Sequence, residues 1–357
     1  MGVFYFTLGS TFISAYVSRI SKDKKILSIM YAAIVGLILI IVAAFRSNIG
    51  DTELYMHSYT GLNNYKFSFD GDWGFSLFQY WLYTISTDPQ LLIIVTSIIT
   101  NLLNVLGFYF YKSYFELQIY MFITSGYYIV TMNGIRQSMA AAFLFVFCKL
   151  IEKEKLMQYS IVVLIASTFH QSALIMIPLY FIVRSKAWSK TTLSIIIVSC
   201  IGFIFFSQLF PVLLEILQDT NYGYYAEHTA DMQGSSFMRV IVNMVPVVLA
   251  YLKRKELDEK WSNSNIFINF AIINVIFTAF GMHNWIFNRF TIYFQLYNFV
   301  LIPYIIKNCF QGKEKRLMYL LLLICYFFFF YYEQVIGLKT YYATKYLKFE
   351  ELFYYKQ

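Results

Sequence analysis

The 357 residues are 59% hydrophobic and 13% charged, with a mean hydropathy of +0.57, far from the roughly 25% charged content of a soluble domain. The formal net charge of +8 does not mark a nucleic-acid binder, because nineteen of the 28 Lys and Arg residues lie in short loops between apolar runs, not on one polar face. An all-α polytopic membrane protein is expected, a single integral membrane domain over 1–357: the apolar runs suit spanning helices, whereas a barrel would show ten-residue alternating segments.

The expected spans are 3–19, 26–45, 89–111, 115–132, 134–150, 156–169, 171–184, 192–210, 237–252, 264–281, 286–306 and 317–333, about twelve helices. The first run has no basic residue before it and four after it, Arg19, Lys22, Lys24 and Lys25, so it reads as an uncleaved helix with its N-terminus outside. Short basic loops are retained in the cytoplasm, which places 19–25, Lys112, 149–155, 184–190, 253–260 and 307–316 on that side. The run 75–85 is too short to span, and counting it would invert everything downstream. A re-entrant or interfacial helix near 73–87 is expected instead, bounded by Asp72 and by Asp88-Pro89. Two extracytoplasmic loops, 46–88 and 211–236, exceed simple turns; the second carries Asn221, Tyr225, Glu227 and His228. Twelve spans leave the tail after Tyr331 outside despite its lysines, and the sequence leaves that side open. Cys148, Cys200, Cys309 and Cys325 lie in or beside apolar runs without a CxxC pair, so they read as core residues, and neither a metal nor another cofactor is expected.

The ends opposite the basic loops hold a sparse polar set that is costly to keep near hydrocarbon. Asn133-Gly-Ile-Arg136-Gln137 joins two apolar runs. The planar guanidinium of Arg136 suits a bidentate grip on a phosphate, and its alternative is to snorkel to the interface. Phe169-His170-Gln171-Ser172 joins two runs too short for full spans, so His170 should lie in a depression. There an imidazole could take a proton from an attacking hydroxyl or donate to a substrate oxygen, or act only as a structural hydrogen-bonding residue. Asp72 and Asp51 are alternative bases. Arg46, Arg239 and Arg289 occupy the same level, with Asn133, Gln137 and Asn288 beside them, so all of these together with Asp51 are candidates for substrate contact, although each arginine could equally be an ion-pair partner of a carboxylate. No GxGxxG, Walker, GxSxG or HExxH pattern is present.

Asp72-Trp-Gly-Phe75, Asp88-Pro-Gln90, Asn133-Gly-Ile-Arg-Gln137, Phe169-His-Gln-Ser172, Arg184-Ser-Lys-Ala-Trp-Ser189 and Asn288-Arg289-Phe with Tyr293 and Pro303-Tyr304 occur in that order. In these segments the chain resembles the EpsG family of bacterial exopolysaccharide-biosynthesis membrane proteins, related to Wzy-type polymerases. The resemblance implies a multi-pass protein of the bacterial cell membrane that joins undecaprenyl-diphosphate-linked repeat units into exopolysaccharide or capsule on the extracytoplasmic face. The lipid diphosphate would be the leaving group, with His170, Arg136 and Asp72 as catalytic candidates. The implied partners are the lipid-linked glycan, membrane lipid, and export and chain-length-control proteins. A flippase for lipid-linked oligosaccharides or a polysaccharide ligase would show similar residues.

Overall fold

Within hydrocarbon each backbone polar group must find its partner inside the segment, and the apolar runs accordingly fold as helices. The computed structural model describes residues 1–111, 113–217 and 234–344, and no strand occurs among them. Lys112, the cluster from Asn221 to His228, and Lys345, Lys348 and Lys356 lie outside the described residues.

Helices α1 (Gly2–Ile20), α2 (Lys25–Ala44) and α5 (Gln90–Phe110) form one side of the bundle. At its centre stand α6 (Phe115–Thr124), all ten of whose residues are buried, and α17 (Ile286–Cys309). Around them pack α7 (Tyr127–Asn133), α8 (Ile135–Val146), α16 (Ser264–Phe280) and α18 (Gly312–Phe330). A hairpin of α10 (Leu156–Phe169) and α11 (Met176–Arg184) leans on α8 and α16, and α12 (Lys190–Ile204), α13 (Phe206–Leu217) and α14 (Phe237–Leu252) complete the periphery. Short helices α3 (Thr52–Thr60), α4 (Trp73–Ile85), α9 (Lys149–Glu152) and α15 (Arg254–Lys260) fill the connections.

The expected helices need revision in four places; one is the span 134–150, which divides into α8 and α9 at Phe147-Cys148. The expected span 115–132 is broken at Ser125-Gly126, where Gly126 takes φ +80° and a Cβ would meet Gln334 Nε2 at 2.8 Å. The expected span 192–210 bends by 89° between α12 and α13, and α18 continues as a π-helical turn over Tyr331–Gly337. By length and apolar character alone, only Lys25–Ala44, Gln90–Phe110 and Gly312–Gly337 among the described helices suffice to cross a membrane, with the bent α12–α13 pair as a fourth. The others fall short because they are brief or carry polar residues; α17, for example, includes Asn288, Arg289, Gln295 and Asn298. The four cysteines are free, Cys148 and Cys309 buried and Cys200 and Cys325 exposed.

The basic loops gather at one end of the bundle. There Arg19 Nε donates to Glu116 at 2.8 Å, Lys260 Nζ to the Asn308 carbonyl at 2.7 Å, and Lys307 Nζ to the Ser113 carbonyl at 3.2 Å. The other end holds the junctions α2–α3, α7–α8, α10–α11 and α16–α17. Residues 338–344 return to it, with Ser47 donating to the Ala343 carbonyl at 2.9 Å and Tyr342 to the Val42 carbonyl at 3.0 Å.

Candidate functional site

The loop after α10 turns through a 3-10 segment, Gln171–Ile175. At 14 residues, α10 is about 21 Å long, short of the roughly 30 Å of bilayer hydrocarbon. Helix α4 fills the space above. Its second residue, Gly74, approaches so closely that a Cβ would meet the Thr168 side chain and stand 3.0 Å from its backbone carbonyl carbon. That contact holds the start of α4 against the end of α10.

Asp72 occupies the N-cap position of α4 but makes no side-chain cap bond to its own helix, although aspartate is among the best residues for that task. Asp88, by contrast, accepts from the backbone N–H of Gln90 at the start of α5, at 2.9 Å. The Asp72 carboxylate is turned to three donors from elsewhere: Arg136 Nη1 and His170 Nδ1 reach Oδ2 at 2.8 and 2.9 Å, and the backbone N–H of Gln171 reaches Oδ1 at 2.9 Å. Burial by itself would raise the Asp72 carboxyl. The hydrogen bond and charge of His170, the Gln171 amide and the Arg136 guanidinium outweigh it and hold the group below its ordinary value. Because a carboxylate only accepts, the proton between it and His170 belongs to Nδ1, which leaves Nε2 as the basic nitrogen. The Arg136 side chain is 40% exposed; its Nε reaches Tyr55 Oη at 3.4 Å and its guanidinium carbon lies 5.8 Å from the centroids of both Tyr55 and Phe75. On the next turn, Ser172 and Tyr293 share a hydroxyl contact of 3.0 Å that joins this loop to α17.

The neighbouring face of α8 meets a cavity of about 710 Å³. Asn133, Gln137, Arg239, Asn288 and Arg289, all expected from the sequence to contact substrate, lie on its wall. Gln137 donates to the Arg289 carbonyl at 2.8 Å, Asn288 to the Gly281 carbonyl at 3.3 Å, and Asn133 accepts from the Asp51 backbone at 3.0 Å. Both arginines carry carboxylate partners: Arg239 pairs with Glu333, and Arg289 stands 3.7 Å from Asp51 and over the Trp285 ring at 4.8 Å. Each of these two arginines is therefore an ion-pair partner of a carboxylate, the alternative that the sequence left open.

Arg46 also departs from expectation. It is 1% exposed, and its guanidinium donates to Thr52 at 3.0 Å, Ser97 at 3.1 Å, the Met132 carbonyl at 2.8 Å and the Ala43 carbonyl. This is a clamp between α2, α3, α5 and α7, set into the interior where the cost of an uncompensated charge is met by fixed acceptors. It leaves no face toward the cavity.

Sequence reasoning missed Tyr55, Gln171, Glu333 and Gln334. A carboxylate ending an otherwise apolar run is itself a signal, and Glu333 is one. Nothing in the local sequence marks Tyr55, whose role arises from tertiary proximity, while Gln171, inside the motif Phe169-His-Gln-Ser172, contributes a backbone N–H that its residue type does not announce. No curated protein and no solved structure matches the chain. The EpsG family model matches residues 29–347, a stretch that contains the whole Asp72 cluster and every cavity residue named above, and the chain belongs to the EpsG family.

Proposed function

We propose that this protein polymerises lipid-diphosphate-linked oligosaccharide repeat units at the extracytoplasmic face of a bacterial cell membrane. Family membership suggests a polysaccharide-synthesis enzyme. The observation that carries the finer reading is the convergence of Arg136, His170 and the Gln171 amide, from two distant chain segments, on the Asp72 carboxylate. Those residues lie at the end of the bundle opposite the basic loops, and the positive-inside rule directs that end away from the cytoplasm. Taking α6 with α7, α8 with α9 and α12 with α13 as single crossings, and α3, α4 and α15 as none, gives twelve crossings with that orientation.

In the proposed reaction a sugar hydroxyl of one lipid-linked unit attacks the anomeric carbon of a chain held on a second lipid diphosphate. The new glycosidic C–O bond forms, the anomeric carbon–oxygen bond to diphosphate breaks, and the bonding pair leaves with the phosphate. His170 Nε2 accepts the hydroxyl proton, a contribution of about 10²–10⁴ in rate for a well-placed base. Asp72 orients the ring and stabilises the imidazolium, and Arg136 supplies positive charge near the departing phosphate. The undecaprenyl carrier and chain-length-control partners implied by the resemblance belong to the same reading.

The test supplies purified protein with a synthetic polyprenyl-diphosphate-linked repeat unit and resolves the products by length. The parent protein should give a ladder, and Arg136→Ala and His170→Ala should leave single units at unchanged insertion levels. Normal ladders from both variants would remove the site assignment. Absence of a ladder from the parent, with units translocated between leaflets of a vesicle, would replace polymerisation by flipping.

A further inference from the structure

We infer that the cavity beside α8 is a glycan-binding subsite that takes the uncharged sugar portion of a lipid-linked unit and not its diphosphate; this rests on the polymerase reading for the identity of the ligand. Its size, about 710 Å³, lies within the 300–1,000 Å³ typical of small-molecule sites.

Its chemistry is that of a neutral, polyhydroxylated ligand. The two arginines on the wall are matched with Glu333 and Asp51, which cancels much of the field they would exert on an anion, and the third cation of the lining, Lys339, is exposed. What remains is a high density of side-chain amides: Asn133, Gln137, Asn243, Asn288, Gln295 and Gln334 come from α7, α8, α14, α17 and the π-helical turn. An amide both donates and accepts, as a sugar hydroxyl does, whereas phosphate recognition calls for donors alone. Trp285, Tyr332 and Tyr341 add aromatic surface to the same wall, suited to the apolar C–H faces of sugar rings.

Some polar atoms of the wall residues are left over after folding. Gln137 is 3% exposed, and although its Nε2 is bonded to the Arg289 carbonyl, its Oε1 is buried with no hydrogen-bond partner among the described residues. Trp285 Nε1 and Ser235 Oγ, also on the cavity wall, are in the same state. A buried polar atom without a partner costs about 1–3 kcal/mol, and such groups in native proteins call for a reason. With essentially no accessible surface, these three atoms lie behind the wall, and the wall's amides and rings are what meet the ligand. The broken helix contributes as well, since Gly126 admits Gln334 close to the backbone where α6 gives way to α7; interrupted helices at membrane depth are tolerated where they line a cavity.

The mutational probe is Gln295, half-buried on the cavity wall and making no hydrogen bond among the described residues. Gln295→Leu removes an amide without disturbing a contact, and Gln295→Trp fills the space. The full chain in lipid nanodiscs is given the oligosaccharide released by mild acid from the producing cell's lipid-linked pool, free of lipid and phosphate, and binding is read by saturation-transfer NMR. Binding is expected to the parent and to His170→Ala alike, weakened about tenfold or more by Gln295→Trp and less by Gln295→Leu. In the ladder assay Gln295→Trp should raise KM at least tenfold with a smaller change in kcat. Failure of the free sugar to bind the parent, equal binding by Gln295→Trp, or competition by inorganic pyrophosphate would overturn the subsite. A parent that makes ladders while Gln295→Trp keeps its KM sinks this inference alone, whereas sugar binding without any ladder sinks the polymerase reading and leaves the subsite standing.

Discussion

Replacing Asp72 by Asn tests the reaction at its pivot. The substitution keeps size and shape but changes an acceptor-only group into one that also donates. Oδ2 now meets two donors, Arg136 Nη1 at 2.8 Å and His170 Nδ1 at 2.9 Å; an NH₂ group in its place leaves Arg136 without an acceptor and can meet His170 only if the imidazole changes tautomer. If Nδ1 becomes the acceptor, the ring proton moves to Nε2, and the nitrogen facing the acceptor hydroxyl can no longer take a proton. The expected loss is that of the general base, about 10²–10⁴ in rate, or about 2.7–5.4 kcal/mol of activation free energy at 1.36 kcal/mol per decade. The stability cost is smaller. A hydrogen bond to a charged group contributes about 1.5–3 kcal/mol, but the Arg136 side chain is 40% exposed, which brings its pair toward the 0–1 kcal/mol of surface ion pairs. Insertion should therefore survive. Single-turnover rates on the lipid-linked unit should fall at least a hundredfold for Asp72→Asn and for His170→Ala, and the double variant should be little worse than either, because residues acting as a unit are not additive. Ladders within threefold of the parent rate, or a double variant whose loss is the product of the two single losses, would refute the coupling of Asp72 to His170.

Other expectations follow from the same coordinates. Gly74→Val should separate α4 from α10, because its Cβ would press on Thr168; a shift of about 1 Å at a catalytic group can cost about 10² in rate, and the variant should insert normally while losing its ladder. Arg46→Leu leaves Ser97, Thr52 and the Met132 carbonyl without their donor and should lower the melting temperature in detergent sharply, by more than about 3 kcal/mol of stability, while Arg136→Ala barely moves it. The Asp72 carboxyl is held below its ordinary value. Its stabilising contribution is therefore complete above the unfolded pKa of about 3.9 and disappears as pH falls through the lower folded value; thermal scans of parent and Asp72→Asn should converge only in acid below about pH 3.9. With the four cysteines removed, a cysteine at Ser68 should react with a membrane-impermeant maleimide in intact cells and one at Ser21 only after permeabilisation; the reverse pattern would invert the proposed orientation.

Periodicity and charge made the helices, their two ends and the polar residues at one end legible in the sequence. Asp72, Arg136 and His170 could be singled out as costly polar residues beside apolar runs. Two things were hidden. Which arginine is clamped and which is accessible depends on what surrounds it in three dimensions: Arg46 and Arg136 look alike as isolated cations after apolar runs, yet one is 1% exposed and the other lies along a site wall. The break at Gly126 was equally invisible, because an apolar window averages over a single residue whose positive φ divides α6 from α7.

In the proposed polymerisation, the arrangement around Asp72 couples one proton transfer to charge on the leaving group. Before reaction the carboxylate is shared between Arg136 and His170, and with a neutral imidazole the three groups sum to zero. Once His170 has taken the acceptor's proton, the imidazolium becomes the stronger partner of Asp72 along the Nδ1–Oδ2 bond already formed, and the Arg136 guanidinium loses part of its counter-charge at the moment when negative charge grows on the departing phosphate. An interaction strengthened only as the transition state is approached raises kcat without tightening substrate binding, and it requires no movement of the backbone. On this account Arg136→Lys, which keeps the charge but not the planar fork that reaches both Asp72 and Tyr55, should lower kcat about tenfold or more with KM nearly unchanged. A KM defect with normal kcat would instead mean that Arg136 holds the ground-state diphosphate and that the coupling is absent.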